Sequence, residues 1–211
     1  MRTEKADQRR GAGDRTRKRL LEAATELLAE HGQDNVTLRD ITEAAGANIA
    51  AVSYHFGSLK ALCDSAIEQA LERYLAAQHD AMKLLGPAST LEELASAFAG
   101  PMVRALAVGG TELAMMRTVA RAGTDPPQRW ERFAENFRQI HSDALRVLKP
   151  KVPGVEESEL ILRTRCVAGM LNWLALSPLG GELAGQPERQ IGRLLLPVLT
   201  GAFHGYSSTD I

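Results

Sequence analysis

Apolar residues recur three and four positions apart along most of this chain, the period of a helix with one buried face. From Thr16 to His31 the repeat is carried by Leu20, Ala24, Leu27 and Leu28, with Asp14 or Thr16 to cap the start and Gly32 just past the end. Residues 1–13 have charges and glycines but no such period, which predicts a disordered arm. Thr37-Leu38-Arg39-Asp40 has the form of a capping box and opens a second helix, about Leu38 to Ala45, with Leu38, Ile41, Ala44 and Ala45 inward. Gly46 supplies the permissive backbone of a tight turn. Asn48 then caps a short third helix, Ile49 to His55, in which Val52 and Phe56 point inward. Its outward positions are Asn48, Ala50, Ala51, Ser53, Tyr54 and His55.

Ser58 opens a long helix whose apolar face runs Leu59, Leu62, Ala66, Ala70, Leu71, Tyr74, Leu75 and which ends before Gly86-Pro87. A second box, Thr90 to Glu93, starts a helix to Leu106 that Pro101 is expected to kink or break. Further helices are expected at about Glu112–Arg121, through Trp130, Phe133, Phe137, Ile140, Ala144 and Leu148, at Glu156–Leu176, and at Glu188–Phe203 with a bend at Pro197. A glycine-rich stretch, Ser177 to Gln186, separates the last two. The pattern contains no alternating strand and no internal repeat, so the fold class is all-α with about nine helices.

Composition narrows the function. The 211 residues are 45% hydrophobic and 24% charged, enough for a substantial core, and the formal net charge of −1 excludes nucleic-acid binding by bulk basicity. Charge is nevertheless uneven: residues 1–20 hold eight Arg or Lys against three acids, making the amino end a basic arm. Cys63 and Cys166 stand alone without metal or redox spacing, and few thiols suit a reducing compartment. With no apolar run of about 18 residues and no apolar leader, no membrane contact is expected and the location is expected to be cytoplasmic. The five histidines lack metal-ligand spacing, and no phosphate-loop, zinc-protease or nucleophile-elbow motif occurs, so no enzyme, cofactor or metal is expected.

Two short helices joined through a glycine turn, the second bearing small and polar side chains outward, suit a DNA major groove about 12 Å wide. Ala50 and Ala51 matter because they are small, permitting close approach to base edges. Leu38 to Gly46 followed by Asn48 to Ser58, with its Tyr54-His55-Phe56 ending, resembles the tetracycline-repressor (TetR) family. The resemblance spans about Thr16 to Leu62, while the rest of the chain agrees in helical character and length. It implies three divisions: a disordered basic arm at 1–13, a helix-turn-helix DNA-binding domain at 14–60, and a helical effector-binding and dimerisation domain at 61–211. It further implies that Thr37, Tyr54 and His55 contact phosphates, while Asn48, Ala50, Ala51 and Ser53 face bases or the adjoining backbone. The family commonly carries lysine directly after the serine that opens helix 4. This sequence has Leu59 there and Lys60 next, leaving Lys60 to reach the backbone instead. The basic arm is either a solvated tail or a supplementary DNA contact.

The resemblance also implies a symmetric dimer through the last two long helices and an effector cavity among the middle ones. Leu160, Val167, Met170, Leu171 and Leu174, with Leu194, Leu195, Leu196, Val198 and Leu199, are more apolar surface than one small domain obviously needs. A dimer would bury it, and two recognition helices would read a palindromic operator. Candidates for the effector pocket are Met102, Leu106, Met115, Met116, Trp130, Phe133, Phe137 and Trp173, with Arg104, Arg117 or Asn172 as polar anchors. Spacing alone fits core packing equally well. The function expected is a dimeric repressor released from its operator by a small molecule, by a tilt of helix 4. The competing readings are an enzyme, a helical small-molecule carrier and an interaction module.

Overall fold

The computed structural model describes residues 2–122 and 134–205, with side chains from residue 11 onward except residue 136. Among these are ten α-helices and no strand: α1 Arg2–His31, α2 Leu38–Ala44, α3 Ile49–Phe56, α4 Leu59–Lys83, α5 Leu91–Val108, α6 Gly110–Ala122, α7 Ala134–Leu148, α8 Glu157–Leu176, α9 Pro178–Leu183 and α10 Glu188–His204. A 3-10 turn, Gln33–Asn35, joins α1 to α2.

Four caps expected from sequence are present, whereas Asp14 and Thr16 lie inside α1 and cap nothing. Thr37 and Asp40 at α2, and Thr90 and Glu93 at α5, make reciprocal boxes, while the side chains of Asn48 and Ser58 accept from the backbone amides of Ala51 and Ala61. Each satisfies an amide that the first turn of a helix leaves without a partner.

The amino-terminal head packs α1, α2, α3 and the start of α4 against one another. Leu20, Ile41 and Leu62 are fully buried in it and Val52 nearly so, each contributing about 1.5–3 kcal/mol by leaving water. The body is built around α4 and α5, with α10 laid along α5 and α6 lying between α1, α4 and α8. Phe98 of α5 and Phe203 of α10 meet with ring centroids 5.4 Å apart. A single apolar core runs through head and body without interruption.

Four expectations change. The segment taken for a disordered arm is helical from Arg2, continuing α1. Adding a residue to a helix already anchored by Leu20, Ala24 and Leu28 fixes one residue per new hydrogen bond, so extension needs no buried face of its own. Pro101 does not break α5, which runs unbroken for 18 residues. Proline has no amide to give the carbonyl four residues back, Ala97 O, and the buried Gln78 of α4 donates Nε2 to it at 3.1 Å. The glycine-rich stretch after α8 contains the short helix α9, with Pro178 in its first turn. Gly180 is required there by contact, since a Cβ would stand 2.2 Å from Leu174 O. Finally Ala44 is exposed and Thr42 buried, with the Thr42 hydroxyl donating to the carbonyls of Leu38 at 3.0 Å and Arg39 at 3.1 Å. Among the described residues no helix is long and apolar enough to cross a membrane.

Candidate nucleic-acid interface

The turn between α2 and α3 is set by Gly46 at φ +55°, a left-handed backbone that residues with a Cβ rarely adopt. From it α3 emerges with its first amides covered by Asn48, whose Oδ1 accepts from Ala51 N at 2.8 Å. Asn48 is thereby committed on its oxygen, and only its amide NH2 group is left to face outward.

Val52 is the one fully inward residue of α3, 1% exposed, and it orients everything else on the helix. Ala50, Ser53 and Tyr54 are exposed, whereas Ala51 and His55 are half-buried. Tyr54 is 84% exposed, and Ile49 at the helix start is 55% exposed. The outward reading of Ala50, Ser53 and Tyr54 therefore stands, and Ile49 joins them. It is a residue that periodicity hides, because an apolar side chain reads as inward. Its branched aliphatic surface beside Ala50 suits a thymine methyl group.

His55 faces back toward α1. A Cβ on Gly13 would lie 3.7 Å from His55 Cε1, so the helical extension of α1 passes directly over this ring. Tyr54 and His55 meet edge to face at 4.8 Å, and Arg17 of α1 sits 5.2 Å over the Phe56 ring. These contacts fix the end of α3 against α1.

The other two candidates flank α3. The Thr37 hydroxyl donates to Asp40 Oδ2 at 2.6 Å and accepts from Asp40 N at 3.3 Å, so its single proton is already placed. Those hydrogen bonds, side chain first and then backbone, hold the Asp40 carboxyl below the usual carboxylate range. A cation next to Thr37 that the spacing argument passed over is Arg39, exposed in the first turn of α2. Lys60 lies 2.5 Å from Asp64 one turn along α4. Exposed pairs of this kind are weak and exchange readily for a phosphate.

Residues 20–66, covering this whole unit, match the family described as bacterial regulatory proteins, tetR family. Residues 20–66 thus form a unit similar to the DNA-binding head of that family. No curated protein matches the sequence significantly. Solved structures extend the likeness of fold over the rest of the chain. PfmR, a TetR-family transcriptional regulator from Thermus thermophilus, is 18% identical with a TM-score of 0.62, covering 90% of this chain and 96% of that one. The ketosteroid transcriptional regulator KstR2 of Mycobacterium tuberculosis is 20% identical with a TM-score of 0.63, covering 90% and 95%. A gamma-butyrolactone receptor described as ArpA-like is 23% identical with a TM-score of 0.50, covering 92% and 100%.

In the body a cleft of about 830 Å³ opens between α4, α5 and α6, and Tyr74, Ala77, Pro101, Arg104, Met115 and Met116 are among its walls. Met115, Met116 and Arg104 thus lie where an effector site was expected. Met102 and Leu106 do not: they are 2% and 0% exposed, packed into the core. Phe137 is half-buried against the core and outside the lining, and Asn172, half-buried on α8, is outside it too. Arg117 is committed elsewhere, donating Nε to Ala175 O at 3.1 Å. Trp173 is 64% exposed on α8, far too open for a cavity wall. Trp130 and Phe133 lie outside the described residues. Tyr74, which sequence placed in the core, lines the cleft, and burial pushes its phenol up to about 12, so it stays protonated. Among the described residues no group of three His, Cys, Asp or Glu could hold a metal ion.

The surplus of apolar residues on the last helices is also redistributed. Leu160, Val167, Leu171, Leu174 and Leu199 are buried within the chain. Leu162, Met170, Trp173 and Leu176 of α8 and Leu194 and Val198 of α10 remain exposed. On α8 they follow helical spacing and form one stripe.

Proposed function

We propose that this regulator is a homodimeric repressor that holds a palindromic operator and releases it when a small molecule fills the α4–α5–α6 cleft. The observation that carries the reading is the path of α6. Its first turns line the cleft through Glu112, Met115 and Met116. Its last turns grip the head: Thr118 Oγ1 donates to Thr25 O at 3.1 Å, and Arg121 donates to Ala29 O at 2.9 Å and Glu30 O at 3.0 Å. The carbonyls of Ala29 and Glu30 lie in the last turn of α1, where the helix has no amides of its own to offer. One rigid element therefore joins the ligand site to the helix that packs on α3. A shift of α6 on binding would move the head, alongside the tilt of α4 that fills the other wall.

On DNA, Ile49, Ala50 and Ser53 face base edges, with the Asn48 amide at the groove rim and Ala51 against the adjoining backbone. Tyr54, His55, Arg39, Lys60 and the α2 start at Thr37 meet phosphates. The exposed stripes of α8 and α10 pair across a twofold axis, which sets two α3 helices about 34–36 Å apart along one face of the duplex.

Selection from a random double-stranded library tests this directly. The expected product is a palindrome with that half-site spacing. On it, gel shift should show Ala50→Glu and Tyr54→Ala weakening binding by about 1–3 kcal/mol each. Unselected sequence, or normal binding by both variants, would overturn the assignment of α3.

A further inference from the structure

The cleft is wide because its facing helix rows are small. On α4 Ala70, Ala77 and Ala81 lie on the cleft side at helical spacing, and on α5 Gly100 faces open space where a Cβ would stand. Small residues alone make a gap, and the ionic groups around it say what fills it. The acids are already matched: Glu112 pairs with Arg73 at 2.9 Å, and Asp80 with Lys83 at 3.8 Å. Arg104 lines the same cleft and, among the described residues, has neither an ion pair nor a hydrogen bond. The Tyr74 hydroxyl, on the opposite helix, also has no hydrogen-bond partner among the described residues. Two donors thus line the cavity, the exposed Arg104 and the half-buried Tyr74, and its uncharged wall is otherwise alanine, glycine, proline, valine, leucine and methionine.

We propose that the effector is a small amphipathic monocarboxylate, its carboxylate held by Arg104 and Tyr74 and its apolar body laid against Met115, Met116 and the α4 alanines. The assignment rests on reading the cleft as the effector site. A guanidinium presents paired N–H groups that match a carboxylate, and a neutral phenol adds a further donor. A doubly charged phosphate monoester fits worse, since one unmatched cation would leave its second charge without a partner against an apolar wall. An amine would place a cation beside Arg104 with both acids already engaged.

Calorimetric titration of the full-length protein with octanoate, octanol and octylamine tests the class while holding the apolar body nearly constant. Octanoate should bind at least about tenfold more tightly than octanol, the effect of a charge-assisted hydrogen bond, with octylamine weakest. Arg104→Ala should reduce octanoate to the level of octanol and leave octanol itself unchanged, which separates a lost anchor from a damaged fold. Tyr74→Phe should lower octanoate affinity by a few-fold only. Equal binding of octanoate and octanol, an intact preference in Arg104→Ala, or no binding of any of the three overturns the carboxylate assignment. Operator binding is read separately on the selected duplex. A duplex that stays bound at saturating octanoate overturns the effector reading of the cleft, whereas loss of the advantage over octanol overturns only the ligand class.

Discussion

The proposed recognition helix α3 and the α8–α10 face both leave apolar side chains in water, but they do so differently. On α3 one exposed aliphatic group, Ile49, stands beside the small Ala50 and the polar-tipped Ser53 and Tyr54, around the single buried anchor Val52. On α8 and α10 the exposed apolar groups are more numerous and include an aromatic, with Trp173 64%, Leu194 56% and Val198 60% exposed. A surface meant for base edges must admit close approach and satisfy polar groups, so bulk is a disadvantage. A surface meant for a second copy of itself gains from area and from aromatic anchors at its centre. The extent of the apolar area and the share of small and polar groups beside it separate the proposed nucleic-acid face from the proposed protein face, although exposure alone does not.

The largest effect should come from breaking the second face. Trp173→Glu combined with Val198→Glu should abolish the dimer in light scattering at micromolar concentration and cost operator affinity about a hundredfold or more, at roughly 2 kcal/mol per lost anchor. Both side chains are exposed, so the monomer should keep its helical circular dichroism. A variant that stays dimeric would show that this face has another use. Cys166, exposed on α8 one turn from Leu162, sharpens the same point: its labelling by a thiol reagent should slow as protein concentration rises through the dimer transition.

A smaller effect should follow from cutting the link between the two regions. Arg121→Ala removes the donors to Ala29 O and Glu30 O and should lower stability by about 1–3 kcal/mol. Operator binding without ligand, and ligand binding without operator, should each stay within a few-fold of normal. Release of operator by ligand should weaken, because coupling of about 1–3 kcal/mol is all that distinguishes the two states. Full release in this variant would place the coupling in α4 alone.

The smallest effect concerns pH. His141 of α7 shares a 3.0 Å hydrogen bond between its Nδ1 and the hydroxyl of the buried Thr164 on α8. That hydroxyl donates to Ile161 O at 2.8 Å, which leaves Nδ1 as the donor to it. Burial first, and then the charge of Arg165, lowers the His141 pKa below 6.5. A lowered folded value means the unfolded chain takes up the proton first. The stability tied to neutral His141 is therefore complete above about pH 6.5 and is lost as pH falls toward the folded value. Melting temperature should drop over that interval, and His141→Gln should flatten the drop. An unchanged pH profile in that variant would assign the loss to other groups.

What could be read from residue order alone was whatever is decided within one helical turn. The boxes at Thr37–Asp40 and Thr90–Glu93, the caps Asn48 and Ser58, the Gly46 turn and the inward Val52 all depend on residues three or four apart, and so did the recognition of the head. The body resisted because its determinants are far apart in the chain. Gln78 serves Ala97 O, the carbonyl that Pro101 leaves without an amide, from 19 positions away, which hid the continuity of α5, and Arg121 reaches α1 across more than 90. An apolar period announces that a helix has a buried face but not what lies against it: Met102 went to the core, Met115 to the cleft and Trp173 to open water under the same signal. Local hydrogen bonding settled where helices begin. Only the packing of distant helices, through the area each face removes from water, settled which apolar residues became core, cavity wall or exposed face.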